Sequence, residues 1–170
     1  MGLLLTQLAK LRGGRVIATT STKEKAELAR GAGADEVIGY DGFAARVREI
    51  TGDGVAAVYD GIGKTTFLEG LEALRPTGRM ILYGAASGQP DPFPLARLAP
   101  AGSLYVQRPT LATYVRTPEL LRQRAAAVLD LVAAGRLEVR IGARYPLADA
   151  RRAHEDLEAR RTTGKLLLVP

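Results

Sequence analysis

Short apolar runs alternate with helix-patterned runs through most of this 170-residue chain. That alternation constrains the fold more than any other feature. Residues 15–20, 36–40, 55–60 and 79–84 are largely apolar at consecutive positions, as strands buried on both faces require. The segments between them carry helical spacing: Leu4, Leu5, Leu8 and Leu11, then Leu28, Ala29 and Ala32, then Phe43, Val47 and Ile50, then Phe67, Leu71 and Leu74. Gly13-Gly14 and Gly33 stop the first two helices, and Ser21 or Thr22 opens the second. Thr65 or Thr66 opens the fourth, and Pro76-Thr77-Gly78 reads as the turn before the next strand. Strands and helices in this order predict an α/β fold, a doubly wound parallel sheet covered on both sides.

The texture changes after Gly84. Residues 85–100 are rich in Gly, Pro, Ala and Ser and read as a long functional loop. Residues 103–106 form a further strand, and 118–134 the longest helix, with Pro118 in its first turn. A strand over 139–145, a helix over 148–160 and a strand over 165–169 complete the chain.

Composition removes several functions. The chain has no cysteine, so disulfides, thiol catalysis and thiolate metal sites are excluded, and with His154 as the only imidazole a zinc site is not expected. No apolar run approaches the roughly 20 residues that span a bilayer. No leader pattern opens the chain, and a cytoplasmic protein is the natural reading. The net charge of +6 favours anionic partners, but the arginines are scattered and no aromatic stacking platform accompanies them. That distribution argues against nucleic acid. Neither a nucleophile with its base nor a carboxylate pair is legible, so no catalytic residue is assigned; any redox chemistry would belong to a cofactor that the protein positions.

The candidate residues for such a cofactor lie at strand ends. Gly2 precedes the first helix and reads as the last glycine of a phosphate-binding turn, where helix N–H groups meet a pyrophosphate. At the end of the strand over 15–20, where an NAD site normally carries Asp or Glu, stand Ser21, Thr22, Lys23, Glu24 and Lys25. The hydroxyl of Ser21 and the ammonium of Lys25 suit a 2′-phosphate, which favours NADP(H); the same run also reads as a helix cap followed by solvated lysines. Tyr40 either meets the adenosine end of the cofactor or is a half-buried strand-end tyrosine. Asp60-Gly61-Ile62-Gly63 and Tyr83-Gly84-Ala85-Ala86-Ser87-Gly88 follow the next two strands, where open α/β sheets place ligands.

Together the runs GLLLTQLAK, RVIATTSTKEKAELARGAGADEVIGY, VYDGIG, GRMILYGAASG, GSLYVQRPTLATYV and YPLADARRAHEDLEARRTTGKLLLVP resemble the cofactor domain of quinone oxidoreductases, the zinc-free, zeta-crystallin-like branch of the medium-chain dehydrogenases/reductases. The resemblance implies NADPH-dependent reduction of a small-molecule quinone by a homodimer. It gives Gly2 the pyrophosphate turn and Ser21, Lys25 and Tyr40 the 2′-phosphate. Ile62, Ala86, Ser87 and Gly88 fall on the nicotinamide-ribose side, Pro109, Thr110 and Leu111 near the nicotinamide, and Arg160 near the phosphates. It further implies that residues 1–135 are the cofactor-binding domain, lacking its first strand and a separate amino-terminal domain, with 136–170 normally packed against the latter. On that expectation the isolated chain binds NADPH weakly and reduces quinones poorly. An enoyl or alkenal reductase of the same superfamily and a non-catalytic dimerisation or nucleic-acid module are the alternatives.

Overall fold

The computed structural model describes residues 1–159 and 161–170. The chain runs α1 (Gly2–Leu11), β1 (Ile17–Thr19), α2 (Lys23–Gly31), β2 (Glu36–Ile38), α3 (Phe43–Thr51), β3 (Val55–Asp60), α4 (Phe67–Glu72) and β4 (Leu74–Leu82). It continues with β5 (Tyr105–Gln107), α5 (Leu111–Tyr114), α6 (Pro118–Ala133), β6 (Ile141–Pro146), α7 (Ala150–Glu158) and β7 (Lys165–Val169). The strands fall into three sheets, β1–β2, β3–β4–β5 and β6–β7, where the sequence suggested a single one. The β3–β4, β4–β5 and β6–β7 pairs are all parallel, as strands joined by helical crossovers must be.

The elements sort into two compact units: residues 1–37 with 123–170, and residues 38–122. The second unit is built around an apolar centre. Phe67 and Leu71 of α4 meet Leu74, Met80 and Leu82 of β4 and Leu104 before β5, with Val55, Val58 and Phe93 packed around them. Met80 is fully buried. Arg48, at the end of α3, fixes the layer by donating to the carbonyls of Glu72, Asp53 and Leu74. Those three carbonyls would otherwise lack partners at element ends.

β4 starts earlier than the sequence suggested. Leu74 pairs with Val55, and Arg79–Leu82 pair with Ala57–Asp60, so the register breaks between the two stretches. The predicted turn at Pro76–Gly78 is that irregularity, with Thr77 at φ +60° and its N–H donated to Gly102. Proline, which cannot join a ladder, is tolerated at such a break.

The first unit is sewn by polar contacts. Lys10 of α1 pairs with Asp35 at 2.8 Å, and Asp35 also accepts the Val16 N–H. The Gln7 amide donates to the Glu138 carbonyl at 3.1 Å and accepts the Glu138 N–H at 2.8 Å, which fastens the run into β6 onto α1. Tyr145 donates to Asp156, which Arg161 grips from the other side, so β6, α7 and the run into β7 share one knot.

Candidate functional site: two joined turns at a strand edge

β3 ends at Asp60, a carboxylate only 5% exposed. A buried charge needs donors, and the following turn supplies them. The N–H groups of Ile62 and Gly63 donate to Asp60 Oδ1 at 2.7 and 3.0 Å, and the Thr66 hydroxyl donates to Oδ2 at 2.9 Å. Thr66 occupies the cap position of α4, but its side chain makes no capping bond and instead donates to Asp60.

The turn after β4 is bonded to the first along its length. Ala86 N–H donates to Gly61 O, Ser87 N–H to Ile62 O, and Lys64 N–H to Gly88 O. The Ser87 hydroxyl donates to Ile62 O at 2.8 Å and accepts from the Thr65 N–H at 3.1 Å and the Thr65 hydroxyl at 3.2 Å. One donor and two acceptor positions are all a hydroxyl has. Ser87 Oγ is therefore saturated. Gly63 sits at φ +91°, where a Cβ would lie 2.5 Å from Gly88 O, so the turns can approach this closely only with glycine there.

Tyr83 lies over the same turn. A Cβ at Gly61 would meet Tyr83 Oη at 2.7 Å. Burial pushes the Tyr83 phenol above its ordinary value, reinforced by the charges of Asp60 and Tyr40. Tyr40 is thus within electrostatic reach of Tyr83, half-buried just past β2. The sequence reading named Asp60 and Tyr83 within these two turns but gave neither a role of its own. A carboxylate closing an apolar strand, with Gly-x-Gly next and a threonine six residues on, is the signal that could have found Asp60.

Pro109, Thr110 and Leu111 leave the carboxyl end of β5, adjacent to the end of β4. The register pairs Ile81 with Gln107, and Arg108 donates to Leu82 O at 3.0 Å. Leu111 is 75% exposed and Pro109 half-buried. The second unit thereby brings Ile62, Ala86, Ser87, Gly88 and 109–111 to one sheet edge. In the first unit, Ser21 and Lys25 flank the opening of α2, whose cap is Thr22 accepting from Lys25 N–H at 3.2 Å. Gly2 heads α1, whose first turn holds no acidic residue and no side-chain cap. Arg160 lies outside the described residues.

A strap over residues 90–97 crosses the second unit beside the joined turns. Phe93 packs edge-on against Phe67 at 5.6 Å, Asp91 pairs with Lys64 at 3.2 Å, and Arg97 covers the Phe93 ring. The pocket beneath, lined by Lys64, Phe67 and Phe93 among others, holds about 70 Å³. Ligand clefts begin near roughly 300 Å³, so this pocket is packing space beside the site.

Residues 1–133 match the family model described as Zinc-binding dehydrogenase. The chain belongs to that family. Despite the family's description, no three His, Cys, Asp or Glu side chains gather into a possible metal site among the described residues. The donors that a zinc site needs are not gathered among those residues. A mycobacterial protein solved in complex with NADPH is similar at 52% identity and TM-score 0.95, covering 99% of this chain and 54% of that one. A Pseudomonas aeruginosa quinone oxidoreductase is 43% identical over 100% of this chain and 53% of its own length. A Burkholderia 2-haloacrylate reductase is 40% identical over 100% and 52% respectively. The chain spans about half the length of the curated relatives it matches. No helix among the described residues is long and apolar enough to cross a membrane.

Proposed function

We propose that this chain forms the NADPH-binding part of a quinone reductase. The observation that carries the reading is the pair of joined turns at the carboxyl edge of β3 and β4. Glycine at 61, 63 and 84 lets the two turns close on each other, and the small-residue edge they form lies outside the carboxyl ends of β3 and β4, where open α/β sheets place a flat cofactor. The likeness to a mycobacterial NADPH complex supports the choice of cofactor. When bound, NADPH supplies the hydride that reduces the quinone. The protein's part is binding and orientation. Gly2 and the head of α1 receive the pyrophosphate through free N–H groups and the positive helix end. Ser21, Lys25 and Tyr40 take the 2′-phosphate by hydroxyl and ammonium contacts. Ile62, Ala86, Ser87 and Gly88 form the ribose rim, Pro109 to Leu111 flank the nicotinamide, and Arg160 neutralises phosphate. Residues 1–135 act as the cofactor-binding domain, with 136–170 as its carboxyl-terminal segment.

Titration of the chain with NADPH and NADH tests this. NADPH is expected to bind more tightly, and Lys25→Ala to weaken NADPH by roughly tenfold while leaving NADH unchanged. Equal affinity for both cofactors, or none for either, contradicts the reading. A second reading, reduction of an activated alkene, is favoured by the 2-haloacrylate reductase relative. Turnover with a quinone against a haloacrylate separates the two.

The chain is further proposed to form a homodimer along β5. Among the described residues β5 pairs only with β4, and Tyr105, Val106 and Gln107 are all exposed. An open strand edge of this kind templates pairing with another strand. Val106→Lys is expected to convert a dimer to monomer in sedimentation; a monomeric parent chain contradicts the proposal.

A further inference from the structure

The joined turns contain more hydrogen bonding than a ligand rim needs, and its arrangement is specific. Six bonds run between residues 61–65 and 86–88 through backbone and the hydroxyls of Ser87 and Thr65. Beneath them Asp60 gathers Ile62 N–H, Gly63 N–H and the buried Thr66 hydroxyl. Two glycine-bearing turns are intrinsically mobile, since glycine loses more freedom on ordering than other residues. Here the first turn is pinned by the Asp60 carboxylate below it, and the second is pinned to the first and, through the Tyr83 and Gly84 N–H groups, to the Asp60 backbone carbonyl. Ser87 Oγ closes the arrangement and has no hydrogen-bonding position left for a ligand.

We propose that Ser87 is a positioning residue. Its hydroxyl, backed by the Asp60–Thr66 pair, locks the two turns into one preset rim, and it does not contact the cofactor through that hydroxyl. This rests on the NADPH reading above and adds how affinity is obtained: the rim is ordered before the cofactor arrives, so binding does not have to order it. Ser87 acts through Ile62, whose carbonyl accepts its hydroxyl, and through Thr65, whose N–H and hydroxyl donate to it.

The test uses the full chain with two measurements that can fail separately: amide hydrogen exchange without cofactor, and NADPH titration. Ser87→Ala is expected to speed exchange at Thr65 and through 61–65 and to weaken NADPH by roughly three- to tenfold. Ser87→Thr, which keeps the hydroxyl, is expected to restore both. Thr66→Val, which removes the hydroxyl from Asp60 at little change in volume, is expected to move both measurements in the same direction as Ser87→Ala. Weakened NADPH with unchanged exchange in Ser87→Ala makes Ser87 a direct ligand and overturns the inference. Faster exchange with unchanged NADPH affinity makes the bonds merely structural and also overturns it. If the parent chain binds no NADPH, the cofactor reading falls; unchanged exchange in Ser87→Ala removes the locked rim on its own.

Discussion

The two units reach order by different means. Residues 38–122 enclose Phe67, Leu71, Leu74, Met80, Leu82 and Leu104 in one apolar cluster under a three-stranded parallel sheet. Among the described residues, the unit formed by 1–37 and 123–170 buries only Ala29, Leu137 and Ala153 as apolar side chains. It relies on the Lys10–Asp35 pair, the Gln7–Glu138 amide clasp and the Tyr145–Asp156–Arg161 knot. Apolar burial scales with area and is indifferent to pH, whereas exposed ion pairs contribute little and depend on protonation and salt. The difference teaches where rigidity is available. The joined turns sit on the unit with the packed core, where fixed geometry can be maintained.

Three perturbations sharpen that contrast, and the largest strikes the core. Met80→Ala removes a fully buried side chain and is expected to destabilise residues 38–122 by about 3 kcal/mol, read as faster exchange of core amides in that unit. A loss below about 1 kcal/mol would mean the cluster is loosely packed. Gln7→Ala breaks both bonds to Glu138 and is expected to cost about 1 kcal/mol, seen as faster exchange around residues 137–140. An unchanged rate there would show that the clasp is incidental.

The third perturbation is acid. The Lys10 ammonium, with the Val16 N–H, holds the Asp35 carboxyl below its ordinary value near 3.8, and the Tyr145 hydroxyl, with Arg161, does the same for Asp156. A folded-state value below the unfolded one gives stability that is complete above about pH 4 and is lost as pH falls through the depressed folded values. Both carboxyls are solvent-accessible, so the effect is small. Exchange in the first unit is expected to quicken below about pH 4, and Asp35→Asn with Asp156→Asn to flatten that response. A response identical in the double variant would contradict it.

Much of this was legible in the sequence because it follows from local rules. Two-face apolar strands gave Val55–Asp60 its bounds without error, and Pro118 with Gly135 bracketed α6. The cap rule opened α2 at Ser21 or Thr22, and the structure makes Thr22 the cap. What escaped depended on partners distant in sequence. The extension of β4 across Pro76 arises from pairing with Val55, which propensity cannot see. Ser87 was read as lining a ligand because it follows a strand in a small-residue run. Its saturation comes from Ile62 and Thr65, more than twenty positions away. Asp60 was named within its turn but given no role, since that role rests on the Ile62 and Gly63 N–H groups and the Thr66 hydroxyl converging on its carboxylate.

The most direct test of the central claim is a cofactor footprint by amide hydrogen exchange on the 170-residue chain. With saturating NADPH, protection is predicted at residues 61–65 and 84–88 and at the head of α2 around Ser21 and Lys25. NADH should protect the two joined turns while leaving the α2 head unchanged. Protection confined to other surfaces, or no protection with either cofactor, would contradict the account.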